Sequence, residues 1–181
     1  MEWVVAFDLP LPPARAFEAA RHFHHAYPRM HPAHRAPTGP VALLAPGYAF
    51  TLLEDFGREQ RQYDLVVAAC DPATQRLLVS GRSITRNGRL VVQGNLEIEF
   101  TFAPAPLGCR MEIAQRVRFA HRLLDLALNH RWMWPGITRH VREENLNTVA
   151  LFLEFDQSAL LAQVGVVAER ADAGLGAAAD L

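Results

Sequence analysis

The sequence NGRLVVQGNLEIEFTF, residues Asn87 to Phe102, decides how this chain is to be read. Asn87-Gly88 is the pair that a two-residue type I′ hairpin turn prefers, because both central positions of that turn need positive φ. After it Leu90, Val92, Gly94, Leu96, Ile98, Phe100 and Phe102 alternate with Arg89, Val91, Gln93, Asn95, Glu97, Glu99 and Thr101. A period of two over so long a run sends one set of side chains to a buried face and the other to water. That is the pattern of an antiparallel sheet packed on one side only. Upstream, Tyr48 to Phe56, Gln62 to Cys70 and Arg76 to Thr85 are further candidate strands. Downstream, a Pro-rich loop over 103–108 turns the chain into Cys109 to Phe119, where Met111, Ile113, Val117 and Phe119 oppose Arg110, Glu112, Arg116 and Arg118. The whole reads as a long, curved meander.

On either side of the meander the period changes. Glu2 to Leu9 is an expected strand, ended by Pro10, Pro12 and Pro13. From Ala14 the spacing of Phe17, Ala20, Arg21 and His24 is helical, and Pro13 suits a first helical turn. Pro28, Pro32, Pro37 and Pro40 exclude a long helix beyond that, which assigns His31 and His34 to an irregular segment. From Pro135 to about Phe155 the period is 3.6, with Ile137, Val141, Thr148, Phe152 and Phe155 on one stripe. The expected fold class is therefore α+β: a helix-grip architecture in which a curved antiparallel sheet of about six or seven strands wraps around a long C-terminal helix. Residues 1–156 form the expected domain, and the Ala/Gly-rich tail 157–181 is expected to be frayed or loosely helical.

Eighteen basic against 19 acidic residues leave a formal charge of -1, with no electrostatic footprint for nucleic acid or an anionic membrane. Small hydrophobic or aromatic molecules are the expected partners, and a homodimer is left open. Every basic residue is Arg, so a Schiff-base lysine is excluded. Cys70 and Cys109 share no metal or redox spacing. The N-terminus lacks the basic and long apolar regions of a signal peptide, and no run approaches about 20 apolar residues, so a cytoplasmic location is expected.

The informative residues are polar ones at core positions, because a buried carboxylate costs several kcal/mol unless it is paired or bound to a cation. Glu54 shares a strand face with Tyr48, Phe50, Leu52 and Phe56. On the C-terminal helix, stepping about 100° per residue places Glu144 about 20° from the centre of the apolar stripe and His140 about 60° from it. They are i and i+4, a spacing at which one helix can hold a metal or simply form a surface His-Glu hydrogen bond. The segment Tyr27-Pro28-Arg29-Met30-His31-Pro32-Ala33-His34 adds two histidines on a proline-stiffened loop, while His22, His24 and His25 read as a solvated helix face. Gln115 falls on the inner face of the last meander strand, either as a ligand hydrogen-bonder or as a satisfied core amide.

Taken together, Tyr27-x-x-x-His31-Pro32-x-His34, then Glu54-Asp55-Phe56-Gly57, then His140-x-x-x-Glu144-x-x-x-Thr148 resemble the diacetylphloroglucinol hydrolases and related phloretin hydrolases. The resemblance implies a helix-grip fold of the START and birch-pollen-allergen superfamily, and zinc-dependent cleavage of a carbon-carbon bond beside an aryl ketone. It implies His31, Glu54, His140 and Glu144 as metal ligands, with His34 where the family has a polar residue facing the substrate. This chain is markedly shorter than that family, with less material before the His-Pro segment and a closer interval from His31 to Glu54.

Two functions follow as expectations. One is a metal-dependent hydrolase of aromatic or polyketide-like ketones, with zinc as its ion and ferrous iron as the alternative for a two-His, one-carboxylate subset. There the ion would polarise a carbonyl and activate water, with Tyr27 and His34 at the polar end of the substrate. The other is a non-catalytic hydrophobic-ligand carrier or polyketide-cyclase-like protein, needing no metal. Its cavity would be lined by Phe50, Leu96, Ile98, Phe100, Ile113 and Phe119, with Trp132 or Trp134 available for stacking.

Overall fold

The computed structural model describes residues 2–38, 42–92, 94–119, 143–151 and 165–172. Strand β1 (Glu2–Leu9) leads through two short helices, α1 (Pro13–Ala20) and α2 (Phe23–Met30), into the meander. The meander runs β2 (His34–Thr38), β3 (Ala49–Asp55), β4 (Gln60–Asp71), β5 (Arg76–Arg86), β6 (Arg89–Val92), β7 (Gly94–Ala105) and β8 (Gly108–Phe119). Helix α3 (143–151) and strand β9 (Gly165–Asp172) follow. Every pairing is antiparallel, in the order β2-β3-β4-β5-β7-β8-β1-β9, with β6 beside β5.

The alternation works as the sequence predicts. Asn87 and Gly88 take φ of 50° and 73°, and the hairpin they make joins β5 to β6. Phe50, Leu52, Leu65, Val67, Leu77, Val79, Phe100, Met111 and Ile113 are buried on the inner face. On the outer face, Glu97, Glu99, Glu2 and Arg76 are joined in ion pairs through Arg116 and one another. Helices α1 and α2 close one end of the inner face. Phe17 meets Phe102 edge-on, while Phe23 reaches both Phe50 and Phe100 at ring-centre distances of 6.3 and 5.5 Å. Helix α3 lies over the same face, with Val149 buried and Asn145 accepting a 3.4 Å hydrogen bond from Gln115.

Four features differ from expectation. The first helix is two, broken where His22 leaves helical geometry. Pro28 sits inside α2 rather than beyond it, which one proline permits in a helix this short because only a single main-chain bond is lost. His34 opens an edge strand instead of lying in an irregular segment, since β3 offers it an unpaired backbone. Residues Gly165–Asp172 form strand β9 on β1 rather than a loose helix. An Ala/Gly-rich sequence carries almost no periodic signal, and it is main-chain bonding to a free sheet edge that selects the strand. The expected C-terminal helix is described over 143–151, and its remainder lies outside the described residues, as do His140, Trp132 and Trp134. Among the described residues no helix is long and apolar enough to cross a membrane.

Candidate functional site

Glu54 is the residue from which the site is built. It occupies β3 on the buried face, 5% exposed, where strand alternation leaves it no route to water. Two phenols donate to it: Tyr63 of β4 to Oε2 at 2.8 Å, and Tyr27 of α2 to Oε1 at 3.4 Å. Burial, followed by the charge of Glu54, pushes both phenols well above the ordinary tyrosine range. Both therefore stay protonated donors at any physiological pH.

His34 stands directly across from Glu54 in the β2–β3 ladder. Its ring lies flat on that of Tyr27, centres 3.7 Å apart and planes 6° from parallel. Nδ1 is 2.9 Å from the Tyr27 carbonyl, which can only accept, so Nδ1 carries a proton. Nε2 is then aimed inward, 3.9 Å from Glu54 Oε1 and 3.9 Å from Glu144 Oε1. Glu144 arrives from α3, its side chain 18% exposed. The helix is held there by Asn147, which donates to the Met30 carbonyl at 2.5 Å, and by Thr148, which bonds to the Glu144 carbonyl and touches Met30 Sδ.

One imidazole thus faces two carboxylates. With Nε2 unprotonated, a lone pair would face two anions, so a second proton on His34 or a cation would favour this arrangement. Imidazole nitrogen and carboxylate oxygen are donors that a divalent cation takes, but among the described residues no group of three such side chains is placed to hold one. Ligand atoms around one zinc, with bonds of about 2.0 to 2.2 Å, sit about 3.4 Å apart at tetrahedral angles, slightly closer than the spacing here. A His whose Nδ1–H is held by a backbone carbonyl is also the usual form of a metal-binding imidazole.

Of the four residues expected to share an ion, Glu54 and Glu144 come together, around His34. His31 is adjacent, its ring centre 5.4 Å from that of His34. Its Nδ1 accepts from the Ala33 amide, so the neutral ring presents Nε2–H, a donor rather than a lone pair. Tyr27 lies against the cluster. Tyr63 was missed in sequence: nothing in the alternation of β4 separates it from a core aromatic, and its partner comes from across the ladder. Buried Asn145 was missed because its partner, Gln115, comes from the sheet beneath α3.

The expected apolar lining divides in two. Phe50, Phe100 and Ile113 are buried, and the first two are covered by Phe23 of α2, so that end of the sheet is filled core rather than cavity. Leu96, Ile98 and Tyr63 are only partly buried, and of these Tyr63 touches the cluster. Gln115 spends its amide on Asn145. The side chain of Phe119 lies outside the described residues. A separate cavity of about 300 Å³, lined among others by Thr38, Thr51, Asp64 and Arg82, opens on the opposite, outer face.

No protein-family model and no curated protein matches the sequence. Solved structures do match. Ara h 8.0201 aligns with a TM-score of 0.62 at 13% identity, covering 85% of this chain and 99% of its own. Major latex-like protein 151 from Panax ginseng aligns at 0.61 and 6% identity, covering 84% and 97%. DynU16, a putative protein in the dynemicin biosynthetic locus, aligns at 0.50 and 16% identity, where this chain spans 86% of itself and 47% of that protein. At these identities the likeness is one of architecture: a curved antiparallel sheet gripping a C-terminal helix, which makes this chain a helix-grip fold of the birch-pollen-allergen-like kind.

Proposed function

We propose that this protein binds a small hydrophobic, carbonyl-bearing molecule of aromatic or polyketide type between the sheet and α3, and acts on it as a cyclase-like acid-base catalyst. The observation that carries this reading is the convergence of Glu54 and Glu144 on His34 Nε2 at 3.9 Å each. Burying such a group costs several kcal/mol, and apolar residues of similar size would serve the fold as well or better. Retention of the cluster is accounted for by chemistry on a ligand. The half-buried Leu96, Ile98 and Tyr63 would take the apolar body of the ligand, with its carbonyl at the cluster. Protonated His34 would polarise that carbonyl through Nε2–H, and a carboxylate would receive the proton released from the adjacent carbon. One fold neighbour, DynU16, comes from a biosynthetic locus, in keeping with such a role.

The test is titration of hydroxyacetophenones and linear β-diketones, followed by tryptophan fluorescence. Wild type is expected to bind in the micromolar range, and His34→Ala and Glu54→Gln to lose about tenfold or more in affinity. Absence of binding by wild type up to about millimolar concentration overturns the reading.

A second reading, the metal-dependent hydrolase, is favoured by one observation: the Tyr27 carbonyl holds the Nδ1 proton of His34, which aims Nε2 at the two carboxylates. His34, Glu54 and Glu144 would hold the ion, with His140 as a further candidate. A bound zinc would supply Lewis-acid polarisation of the carbonyl. The protein's own part would be to hold Glu54 through its two phenols. About one equivalent of transition metal in protein purified without chelator, lost in His34→Ala, selects this reading over a protonated His34.

A further inference from the structure

Register alone would pair Glu54 with a cation. Directly across β3–β4 from it stands Arg61, the residue best placed for a salt bridge. The guanidinium is instead engaged elsewhere: Nε binds Glu59, and the group lies 5.1 Å over the Phe56 ring. Tyr63 donates to Glu54 Oε2 at 2.8 Å. The carboxylate is therefore held by a phenol, while the arginine across from it in the ladder is spent on Glu59.

We propose that Tyr63 is the positioning residue of Glu54: it occupies Oε2 so that Oε1 is turned to His34 and to the ligand. A direct arginine bridge would take a carboxylate in bidentate fashion and leave neither oxygen for chemistry. A neutral phenol takes one oxygen only, fixes the rotation of the carboxyl and leaves it basic. Tyr63 suits this because it does not ionise; burial and the neighbouring carboxylate keep its proton in place. Tyr27, at 3.4 Å from Oε1, is the weaker partner and stands on the ligand side. The inference rests on the functional reading above in taking Glu54 as a reacting group, but the orientation itself can be measured without any ligand.

The experiment uses the full chain labelled with 13C at the glutamate carboxyl carbon, at a single neutral pH, with the Glu54 resonance assigned by its loss in Glu54→Gln. Tyr63→Phe is expected to shift that resonance, and Tyr27→Phe, which removes the longer bond, to shift it by less. Affinity for a hydroxyacetophenone is expected to fall about tenfold in Tyr63→Phe. An unmoved resonance in Tyr63→Phe overturns the positioning role, as does a moved resonance with wild-type affinity. If Tyr63→Phe does not fold, wild type carrying 3-fluorotyrosine decides: a resonance that stays in place when the phenols become stronger donors overturns the role. If wild type binds no ligand, the functional reading falls, and the resonance still decides whether Tyr63 orients Glu54.

Discussion

At the residue scale, the unusual feature of this protein is how many ionisable groups it buries at one end of an apolar sheet. The two phenols on Glu54 differ in length, 2.8 Å for Tyr63 and 3.4 Å for Tyr27. Tyr27→Phe, which keeps the stack on His34, is therefore expected to change ligand affinity less than Tyr63→Phe, as a side-by-side titration would read. A second buried group lies away from the site. His24, which the sequence places on a solvated helix face, is 1% exposed against Tyr48 and Phe50. Burial first, then the neighbouring His25 and His22, push its pKa down to about 4. Above pH 6.5 the ring is neutral in both folded and unfolded chains. As pH falls from 6.5 toward 4, the unfolded chain takes up a proton that the folded one refuses, so stability drops, by up to about 3 kcal/mol. Urea melts at pH 7.5 and pH 5 should show this loss. His24→Phe should flatten the difference; an unchanged pH slope in that variant would assign the effect to other groups.

At the scale of elements, two contacts decide how the pieces dock. The β7–β8 turn closes on the end of β1 through Gly108, whose φ is 142°. A Cβ there would stand 2.6 Å from the Leu9 carbonyl oxygen and 2.7 Å from that of Leu11, main-chain atoms that cannot step aside. Gly108→Ala is expected to cost about 2 to 4 kcal/mol. Gly47→Ala, with positive φ but nothing within 4 Å, should cost about 1 kcal/mol. Thermal melts of the two variants compare steric clash with backbone strain alone. The second contact is the seat of α3. Asn147 joins it to the end of α2 through the Met30 carbonyl, and loss of that bond in Asn147→Ala should cost about 1 kcal/mol. Because Glu144 rides on the same helix, ligand affinity is expected to fall in this variant although Asn147 touches no group of the cluster; unchanged affinity would show that α3 is seated by its apolar contacts.

For the whole molecule, the sheet path begins at β2 and ends at β9 among the described residues. The β2 edge carries His34, so one border of the sheet is also a wall of the site. At the other, β9 covers the length of β1 from Glu2 to Asp8. Deletion of 165–181 bares the backbone of β1, a strand buried on its inner face and ready to pair with a second chain. Lower thermal midpoint and self-association on gel filtration are the expected outcomes. A monomer with wild-type melting would show that β9 is dispensable.

The sequence by itself determined the parts of this protein that depend on periodicity. Alternation over 87–102 and its neighbours is a local property, set by which face of a pleat each side chain occupies, and it placed the strands, the hairpin at Asn87-Gly88 and the inward carboxylate of Glu54. Helical phase likewise put Glu144 toward the sheet and left Glu143 exposed. Which groups then meet depends on register, and a one-residue slip would exchange every partner. Only the tertiary structure decided that His34 faces both carboxylates, because the β2–β3 ladder sets it opposite Glu54. The same holds for Tyr63, whose partner comes from the neighbouring strand, and for β9, whose weakly patterned residues become a strand only because β1 offers them an edge.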